Sequence, residues 1–322
     1  EERARLKRKM KESKTEKERS GWNTFQLAVK RMMASLYGMT AAPGYGWGSY
    51  EIASSITAIG RESIHLLLRE SEKKGYKTLA GHTDSSYIQV PFEDAKTLAD
   101  DLTVLAQVNL NAPNLEVEFE AYFPYWTISV TNRYFGIKSY PVEEAGQMKV
   151  AGFEYKASNA APISKEVQGV MFNLVSSGAD EMEVTGAIRP LAGELMKGNR
   201  PIADITCWTR LSKNPKDYGE KSSVNAAQAA LYYNKHVAKK KEQEPYSAWD
   251  SVAWVYVKGV PDGCPATKVT AYQDLSDLDE FDIDWQTSVE KLIIAKIRSV
   301  YEDAMGWDSR RGGGAPAPKR YW

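Results

Sequence analysis

Two short apolar segments around a polar turn interrupt long stretches of helical periodicity, and this order constrains the fold more than any other feature. Apolar residues recur every three or four positions over 22–36 and 52–68, which is typical of amphipathic helices. The segments 76–81 and 85–91 have the pattern of strands on either side of His82-Thr83-Asp84. Helical patterns dominate again from Ser164 onward. Further predicted elements are a polar turn over 13–20, helices over 50–73 and 92–109, and strands over 115–122, 126–137 and 148–155. The sequence therefore predicts a mixed α/β (α+β) chain with a domain boundary near residue 155.

Charge is balanced overall but separated along the chain. The 42 Lys and Arg residues match 42 Asp and Glu residues, which argues against a uniformly basic nucleic-acid binder. Residues 1–37 nevertheless hold eleven Lys or Arg against five Glu, whereas residues 274–284 hold six acids and no base. We therefore expect a basic helical hairpin at the start of the chain.

Composition excludes several other classes of protein. A hydrophobic fraction of 43% and a charged fraction of 26% are typical of a globular protein. The two cysteines, Cys207 and Cys264, form no C-x-x-C pair, so there is no zinc-ribbon or disulfide-scaffold signature. No apolar run reaches the roughly 18 residues of a membrane span, and the N-terminus does not resemble a secretory signal. We expect a cytoplasmic protein without a membrane partner.

Two groups of residues have the chemistry of a phosphate-handling site. Asp84 is predicted at the tip of a hairpin, where a carboxylate can bind Mg²⁺. Arg3 and Lys7 are four residues apart on one helical face, and Lys30 on the next helix is a third cation suited to a triphosphate. Turn geometry for the aspartate and a solvated basic face for the cations remain open as alternatives.

The sequences of these segments and their order along the chain resemble those of family B DNA polymerases. The run Lys30-Arg-Met-Met-Ala-Ser-Leu-Tyr-Gly38 resembles their K-x-x-x-N-S-x-Y-G motif, and Gly81-His-Thr-Asp-Ser85 resembles Y-G-D-T-D-S. Further similarity follows in the family's order at Thr57–Arg61, Val150–Glu154 and Thr209-Arg210. The resemblance covers nearly the whole chain up to about residue 308, and this shared order is more specific than any single motif.

The resemblance implies a right-hand polymerase fragment. Residues 1–44 match the helical fingers, and 45–155 match the C-terminal part of an antiparallel-sheet palm. Residues 156–308 match a mainly helical thumb, and 309–322 are expected to form a flexible basic tail.

The resemblance also implies site residues by position. Asp84 matches the second aspartate of the D-T-D motif and is expected to be a catalytic metal ligand, with Glu118 and Glu120 near an auxiliary metal position. The residues that match positions gripping the incoming dNTP are Arg3, Lys7, Lys30 and Tyr37. Those expected to contact primer–template DNA are Arg133, Tyr134, Arg210, Lys213, Lys216 and Lys221. The implied cofactor is a pair of Mg²⁺ ions, with Mn²⁺ as an alternative.

Three positions depart from the family's motifs, and one motif is absent. His82 replaces the first aspartate, Ala34 replaces an asparagine, and Asn132 replaces a lysine that contacts the primer. The sequence also contains no D-x-x-S-L-Y-P motif, which carries the other catalytic aspartate, and no D-x-E proofreading signature. We therefore expect the C-terminal part of a split, nucleoid-associated polymerase that works as a heterodimer. Its N-terminal partner chain would supply the missing aspartate and the exonuclease. The alternative is a catalytically inactive DNA-binding subunit that keeps the polymerase shape.

Overall fold

A computed structural model of the chain describes residues 2–42, 44, 46, 48–130, 132–219, 222–259 and 268–304. Lys221, Cys264 and the predicted tail lie outside the described residues. The chain divides into two compact units, Glu1–Phe119 and Glu120–Trp322. This division falls within the stretch 45–155 assigned to the palm by resemblance, and the assignment of fingers, palm and thumb stays a prediction.

In its described residues, unit 1 combines four helices with a two-stranded antiparallel sheet. In chain order its elements are α1 (Glu2–Glu12), α2 (Glu16–Ala41), α3 (Tyr50–Lys73), β1 (Lys77–Gly81), β2 (Ser86–Gln89) and α4 (Phe92–Asn109). The helices predicted over 50–73 and 92–109 and the two strands are confirmed. The polar turn predicted to extend to Ser20 is wrong, because Thr15 accepts a hydrogen bond from the backbone N–H of Glu18 at 3.2 Å and caps α2.

The core of unit 1 forms where α3 and α4 pack together beside the hairpin. Leu67 on α3 and Leu98 and Leu102 on α4 are buried. Ile64 and Ile88 pack against them, so the same cluster also contacts β2. This cluster attaches the β1–β2 hairpin to two long helices.

The prediction of a strand over 115–122 is wrong, because this described segment forms no strand. Its side chains do alternate between partly buried and exposed from Leu115 to Glu120. Near its start, however, its backbone is bound by side chains of α4, and its end forms an isolated antiparallel β-bridge between Tyr122 and Tyr140 rather than a strand. Thr103 Oγ1 accepts from the Val117 N–H at 2.9 Å, and Gln107 Nε2 donates to the Leu115 carbonyl at 2.9 Å. Alternation alone therefore identified an extended segment but not a sheet partner.

Unit 2 begins with a three-stranded antiparallel sheet. Its strands are β3 (Trp126–Val130), β4 (Arg133–Ile137) and β5 (Met148–Ala151), in the order β3-β4-β5. The single strand predicted over 126–137 is wrong, because Asn132 adopts a left-handed backbone with φ of 64° and the chain reverses there. Asparagine tolerates this conformation better than most residues.

The rest of unit 2 contains helices and a second three-stranded sheet that the sequence analysis missed. In chain order the helices and strands are α5 (Pro162–Ser176), α6 (Glu181–Met196), α7 (Ile202–Ile205), β6 (Cys207–Arg210), α8 (Asn225–Tyr232), α9 (Ala238–Lys241), β7 (Ser251–Tyr256), β8 (Val269–Tyr272), α10 (Trp285–Ser288) and α11 (Ala295–Ala304). Two π-helical turns, Tyr233–Val237 and Val289–Ile294, join α8 to α9 and α10 to α11. The sheet is antiparallel with the order β6-β7-β8.

Aromatic packing joins the first sheet of unit 2 to α5. The ring centroids of Phe135 on β4 and Phe172 on α5 are 4.5 Å apart, and Phe153 contacts both rings. All three side chains are buried. The predicted combination of helices with small antiparallel sheets is thus confirmed. No helix within the described ranges has both the length and the apolar composition needed to cross a membrane.

Candidate functional site

Asp84 lies in the turn between β1 and β2, and its side chain is exposed. The His82 N–H donates to the Ser85 carbonyl at 2.7 Å, which closes the turn. The His82 ring packs edge-on against Tyr87, with centroids 5.5 Å apart. The turn therefore presents a solvent-accessible carboxylate, the type of ligand that Mg²⁺ prefers.

Gly81 determines how closely this turn approaches α3. It pairs with Ser86 at the end of β1. A Cβ atom at this position would lie 3.1 Å from Ile64 Cγ2 and 3.1 Å from Leu68 Cδ1, both on α3. A side chain there would require Ile64 or Leu68 to shift by a few tenths of an ångström. The motif glycine therefore favours the close approach of the Asp84 turn to its helical support.

The basic helices α1 and α2 pack as a hairpin, as the sequence predicts. Leu6 is buried, and the Lys9 ammonium lies 4.5 Å from the centroid of the Trp22 ring. Arg3 Nε donates to Gln26 Oε1 at 3.4 Å. This contact joins α1 to the face of α2 that carries further predicted site residues.

Three of the four predicted dNTP residues share this region of unit 1. Lys30 follows Gln26 by four residues on α2, so the two side chains share a face, and Tyr37 follows Lys30 by two further helical turns. Lys30 and Tyr37 are exposed, and Arg3 is partly buried. The helical hairpin thus aligns two cations and an aromatic ring along one side.

Lys7 contacts an acidic residue from the other predicted group. Its Nζ lies 3.7 Å from Glu118 Oε2, and the exposed fractions of the two side chains are 39% and 61%. A residue predicted to bind a triphosphate is thus paired with one predicted near an auxiliary metal. The pair joins α1 to the extended segment that follows α4.

The predicted metal ligands do not form a ready-made metal site. Among the described residues, no three His, Cys, Asp or Glu side chains come together as they would around a metal ion. Asp84 and Glu118 belong to unit 1, whereas Glu120 belongs to unit 2. The assignment of all three as ligands stays a prediction.

The predicted DNA contacts Arg133 and Tyr134 lie at the start of β4 in unit 2. The Arg133 guanidinium carbon lies 4.5 Å from the centroid of the Phe153 ring, and the Tyr134 and Trp126 ring centroids are 4.9 Å apart. Gly152, with φ of 73°, brings its backbone so close that any side chain would overlap Arg133. Both predicted residues are therefore held by aromatic contacts on the first sheet of this unit.

A second group of predicted DNA contacts follows along and after β6. Arg210, Lys213 and Lys216 are exposed. Arg210 Nε donates to the Trp249 carbonyl at 3.0 Å, and the Lys213 ammonium lies 4.9 Å from the centroid of the Tyr218 ring. The three cations form a positively charged surface suited to a phosphate backbone.

Sequence reasoning missed a recess of about 650 Å³ in unit 2. Its lining includes Glu154, Cys207 and Lys296. Burial raises the pKa of Glu154, but hydrogen bonds from Lys296 and Gln168 lower this pKa by a larger amount, so that it lies below its ordinary value. Burial raises the pKa of Cys207 to about 11, which keeps the thiol protonated and unreactive. The family-like segments Val150–Glu154 and Thr209-Arg210 contribute to this lining, but neither pattern by itself indicates a recess, since the lining comes from distant parts of the sequence.

Known proteins similar to this chain include archaeal DNA polymerases. A family profile described as DNA polymerase family B matches residues 1–300. A DNA polymerase from Thermococcus sp. (strain 9oN-7) is 29% identical over 221 residues, which is 68% of this chain and 28% of that protein. A DNA polymerase from Methanocaldococcus jannaschii is 26% identical over 251 residues, or 76% of this chain and 14% of that protein.

A solved structure shows the same fold. The family B DNA polymerase from Pyrobaculum calidifontis superposes with a TM-score of 0.60 at 19% identity, covering 95% of this chain and 37% of that one. The chain therefore spans well under half the length of the relatives it matches. The match of the family profile over most of the chain shows that this protein belongs to family B of the DNA polymerases.

Proposed function

We propose that this chain forms part of the active site of a template-dependent DNA polymerase. The observation that carries the proposal is the exposed Asp84 turn, held on α3 in the same unit as the basic α1–α2 hairpin. In the proposed reaction, the primer 3′-hydroxyl oxygen attacks the α-phosphorus of a dNTP. A new O–P bond forms, the bond to the bridging oxygen breaks, and pyrophosphate leaves.

Asp84 would bind the catalytic divalent cations, and Glu118 and Glu120 are weaker candidates near an auxiliary ion. The exposed carboxylate fits Mg²⁺, which takes oxygen ligands. Two such ions, when bound, would lower the pKa of the primer hydroxyl and neutralise charge on the leaving pyrophosphate. A single carboxylate is too few for two ions, so the proposal requires a further carboxylate from outside these residues.

The residues of the α1–α2 hairpin would orient the dNTP. Arg3, Lys7 and Lys30 would neutralise the triphosphate, and Tyr37 would contact the nascent base pair. The hydrogen bond from Arg3 to Gln26 supports this role, because it joins the two cationic faces. Fixed positive groups stabilise charge that develops on phosphate oxygens.

Exposed cations of unit 2 would bind primer–template DNA without reading its sequence. Arg133 and Tyr134 on β4 are candidates for primer contacts, and Arg210, Lys213 and Lys216 for contacts with backbone phosphates. Arg210, Lys213 and Lys216 are exposed and positively charged, which supports this role. Arg133 and Tyr134 are half-buried and would offer only part of their side chains.

We further propose that an N-terminal polymerase chain completes the enzyme as a heterodimer. Helix α3 carries exposed Ile52, Ile56 and Ile59 on one face, and α2 carries exposed Met32 and Leu36. Apolar surface of this kind typically marks an interface. The matched residues cover 28% of the first relative, and the proposed occupant of this face is a polypeptide with the remaining polymerase segments.

A catalytically inactive DNA-binding subunit is the second candidate. The side chain of His82, which packs against Tyr87, favours it, because an imidazole ring occupies a position where the family's motif has a carboxylate. In that case the partner would hold all the catalytic carboxylates.

Primer extension separates the two candidates. The chain is mixed with the polypeptide that carries the D-x-x-S-L-Y-P motif, then with Mg²⁺, dNTPs and a labelled primer–template. We expect extension by the mixture and none by either polypeptide alone. Extension by either polypeptide alone, or none by the stable complex, contradicts the proposal, and extension by the partner alone favours the inactive-subunit candidate.

A further inference from the structure

Trp249 is an exposed residue with a strained backbone. Its side chain is 64% exposed, and its φ is 73°. A bulky residue in this left-handed region is a genuine outlier, which the surrounding structure must impose. The constraint comes from neighbouring hydrogen bonds, since the Trp249 N–H donates to the Leu211 carbonyl at 2.8 Å and the Leu211 N–H to the Asp250 carbonyl at 3.0 Å.

The turn that holds Trp249 is fixed on both sides. Asp250 Oδ2 accepts from the Ser247 N–H at 2.7 Å and from the Ser247 hydroxyl at 3.0 Å. The Ala248 N–H donates to Asn214 Oδ1 at 3.3 Å. The indole ring is therefore displayed to solvent from a rigid turn, and a ligand would not need to order the turn on binding.

Arg210 joins this ring to the basic surface. Its Nε donates to the Trp249 carbonyl at 3.0 Å, and its guanidinium carbon lies 5.8 Å from the ring centroid. Trp208, two residues earlier on β6 and thus on the same face of the strand, is 45% exposed. Two exposed indoles therefore flank an arginine, and Lys213 and Lys216 follow in the sequence.

We propose that Trp249, supported by Arg210, is a stacking site for an unpaired nucleobase of single-stranded DNA. Aromatic rings beside backbone-binding cations are the usual way in which proteins hold single strands, because every base has a flat face. This inference rests on the proposed DNA-binding function and adds a residue and a ligand class to it. A duplex without unpaired bases offers the ring no such face along its length.

The test compares DNA binding by the wild-type chain and by Trp249→Gly. Glycine adopts the left-handed backbone without strain, so this substitution removes the ring and does not disturb the turn. Fluorescence anisotropy measures affinity for a single-stranded oligonucleotide and for a blunt duplex over a range of salt concentrations. Tyr50→Ala, which removes another exposed aromatic residue, in unit 1, is the matched control.

We expect Trp249→Gly to weaken single-strand binding about tenfold, the typical loss for one stacked base. Duplex binding and the salt dependence stay unchanged, the thermal unfolding midpoint does not fall, and Trp249→Phe retains most of the affinity. Arg210→Ala instead lowers the salt slope of single-strand binding by about 0.7.

Equal losses for single strands and duplex, a lower unfolding midpoint for Trp249→Gly, or an unchanged single-strand affinity would each overturn the stacking site. If the wild-type chain binds neither the single-stranded oligonucleotide nor the duplex, the proposed DNA-binding function itself is contradicted. The two failures are therefore distinguishable.

Discussion

The contact between Gly81 and α3 yields a prediction about the support of the Asp84 turn. Gly81→Val places a Cβ atom 3.1 Å from side-chain carbons of Ile64 and Leu68 and adds two methyl groups beyond it. Overpacking of this kind costs about 1–3 kcal/mol. The cost falls on β1 and its pairing with β2, so the amides of this hairpin lose protection from hydrogen exchange. With a tenfold change per 1.4 kcal/mol, their exchange accelerates roughly five- to 150-fold.

Gly60→Ala is the matched control, because this glycine lies inside α3 and a Cβ atom there meets nothing within 4 Å. Replacing a helical glycine with alanine stabilises by roughly 0.5–1 kcal/mol. Hydrogen exchange monitored by mass spectrometry measures amide protection of the β1–β2 hairpin in the same peptides of both variants. The reasoning is refuted if Gly81→Val leaves the hairpin as protected as in the wild type, or if both variants shift protection in the same direction.

Three further predictions concern charge and the partner interface. Lys7→Met should raise the KM for dNTP in the assembled complex. It should cost at most about 1 kcal/mol of stability, because the ion pair of Lys7 with Glu118 is exposed, and unfolding of the variant would contradict that expectation. Burial raises the pKa of Asp277, but hydrogen bonds from Lys241 and from two backbone N–H groups lower this pKa by more, to below its ordinary value of 3.8. The ionised Asp277 side chain therefore stabilises the fold above about pH 4, and this stabilisation is lost at lower pH. Asp277→Asn should therefore cost about 2 kcal/mol at pH 7 and flatten the acid limb of thermal unfolding curves, and an unchanged acid limb would contradict this. Ile56→Glu should weaken association with the partner chain in sedimentation experiments without lowering the melting temperature, and undiminished association would exclude α3 as the interface.

Periodicity predicted the helices of unit 1 because their apolar positions face a local core. The bounds of α3 and α4 matched, since each helix carries its own periodic stripe and ends near a turn. The start of α2 was placed too late, because the Thr15 cap depends on one hydrogen bond rather than on periodicity.

Strand pairing was predicted less well, because it depends on distant residues. In the second sheet, β6 pairs with β7, which follows it by some forty residues, and no local pattern specifies such a pairing. The segment after α4 alternates as a strand does, yet Thr103 and Gln107 bind its backbone.

The candidate site was predicted from the order of the motifs rather than from the chemistry of single residues. An aspartate in a hairpin and a basic helix are individually common, and only their order along the chain pointed to a polymerase. Trp249 has no motif, and its exposure follows from a turn held by Asn214 and Leu211, which lie far from it in sequence.

Single-turnover nucleotide incorporation by the assembled complex tests the central proposal most directly. Asp84→Asn keeps the shape of the turn but removes the charge that would bind the cations, and losing several kcal/mol of such stabilisation slows incorporation roughly a thousandfold. Asp100→Asn, on the exposed surface of α4, is the matched control and should incorporate at the wild-type rate. We predict that Asp84→Asn still binds DNA as the wild type does but incorporates almost no nucleotide. Incorporation by Asp84→Asn at the rate of the Asp100→Asn control would contradict the account.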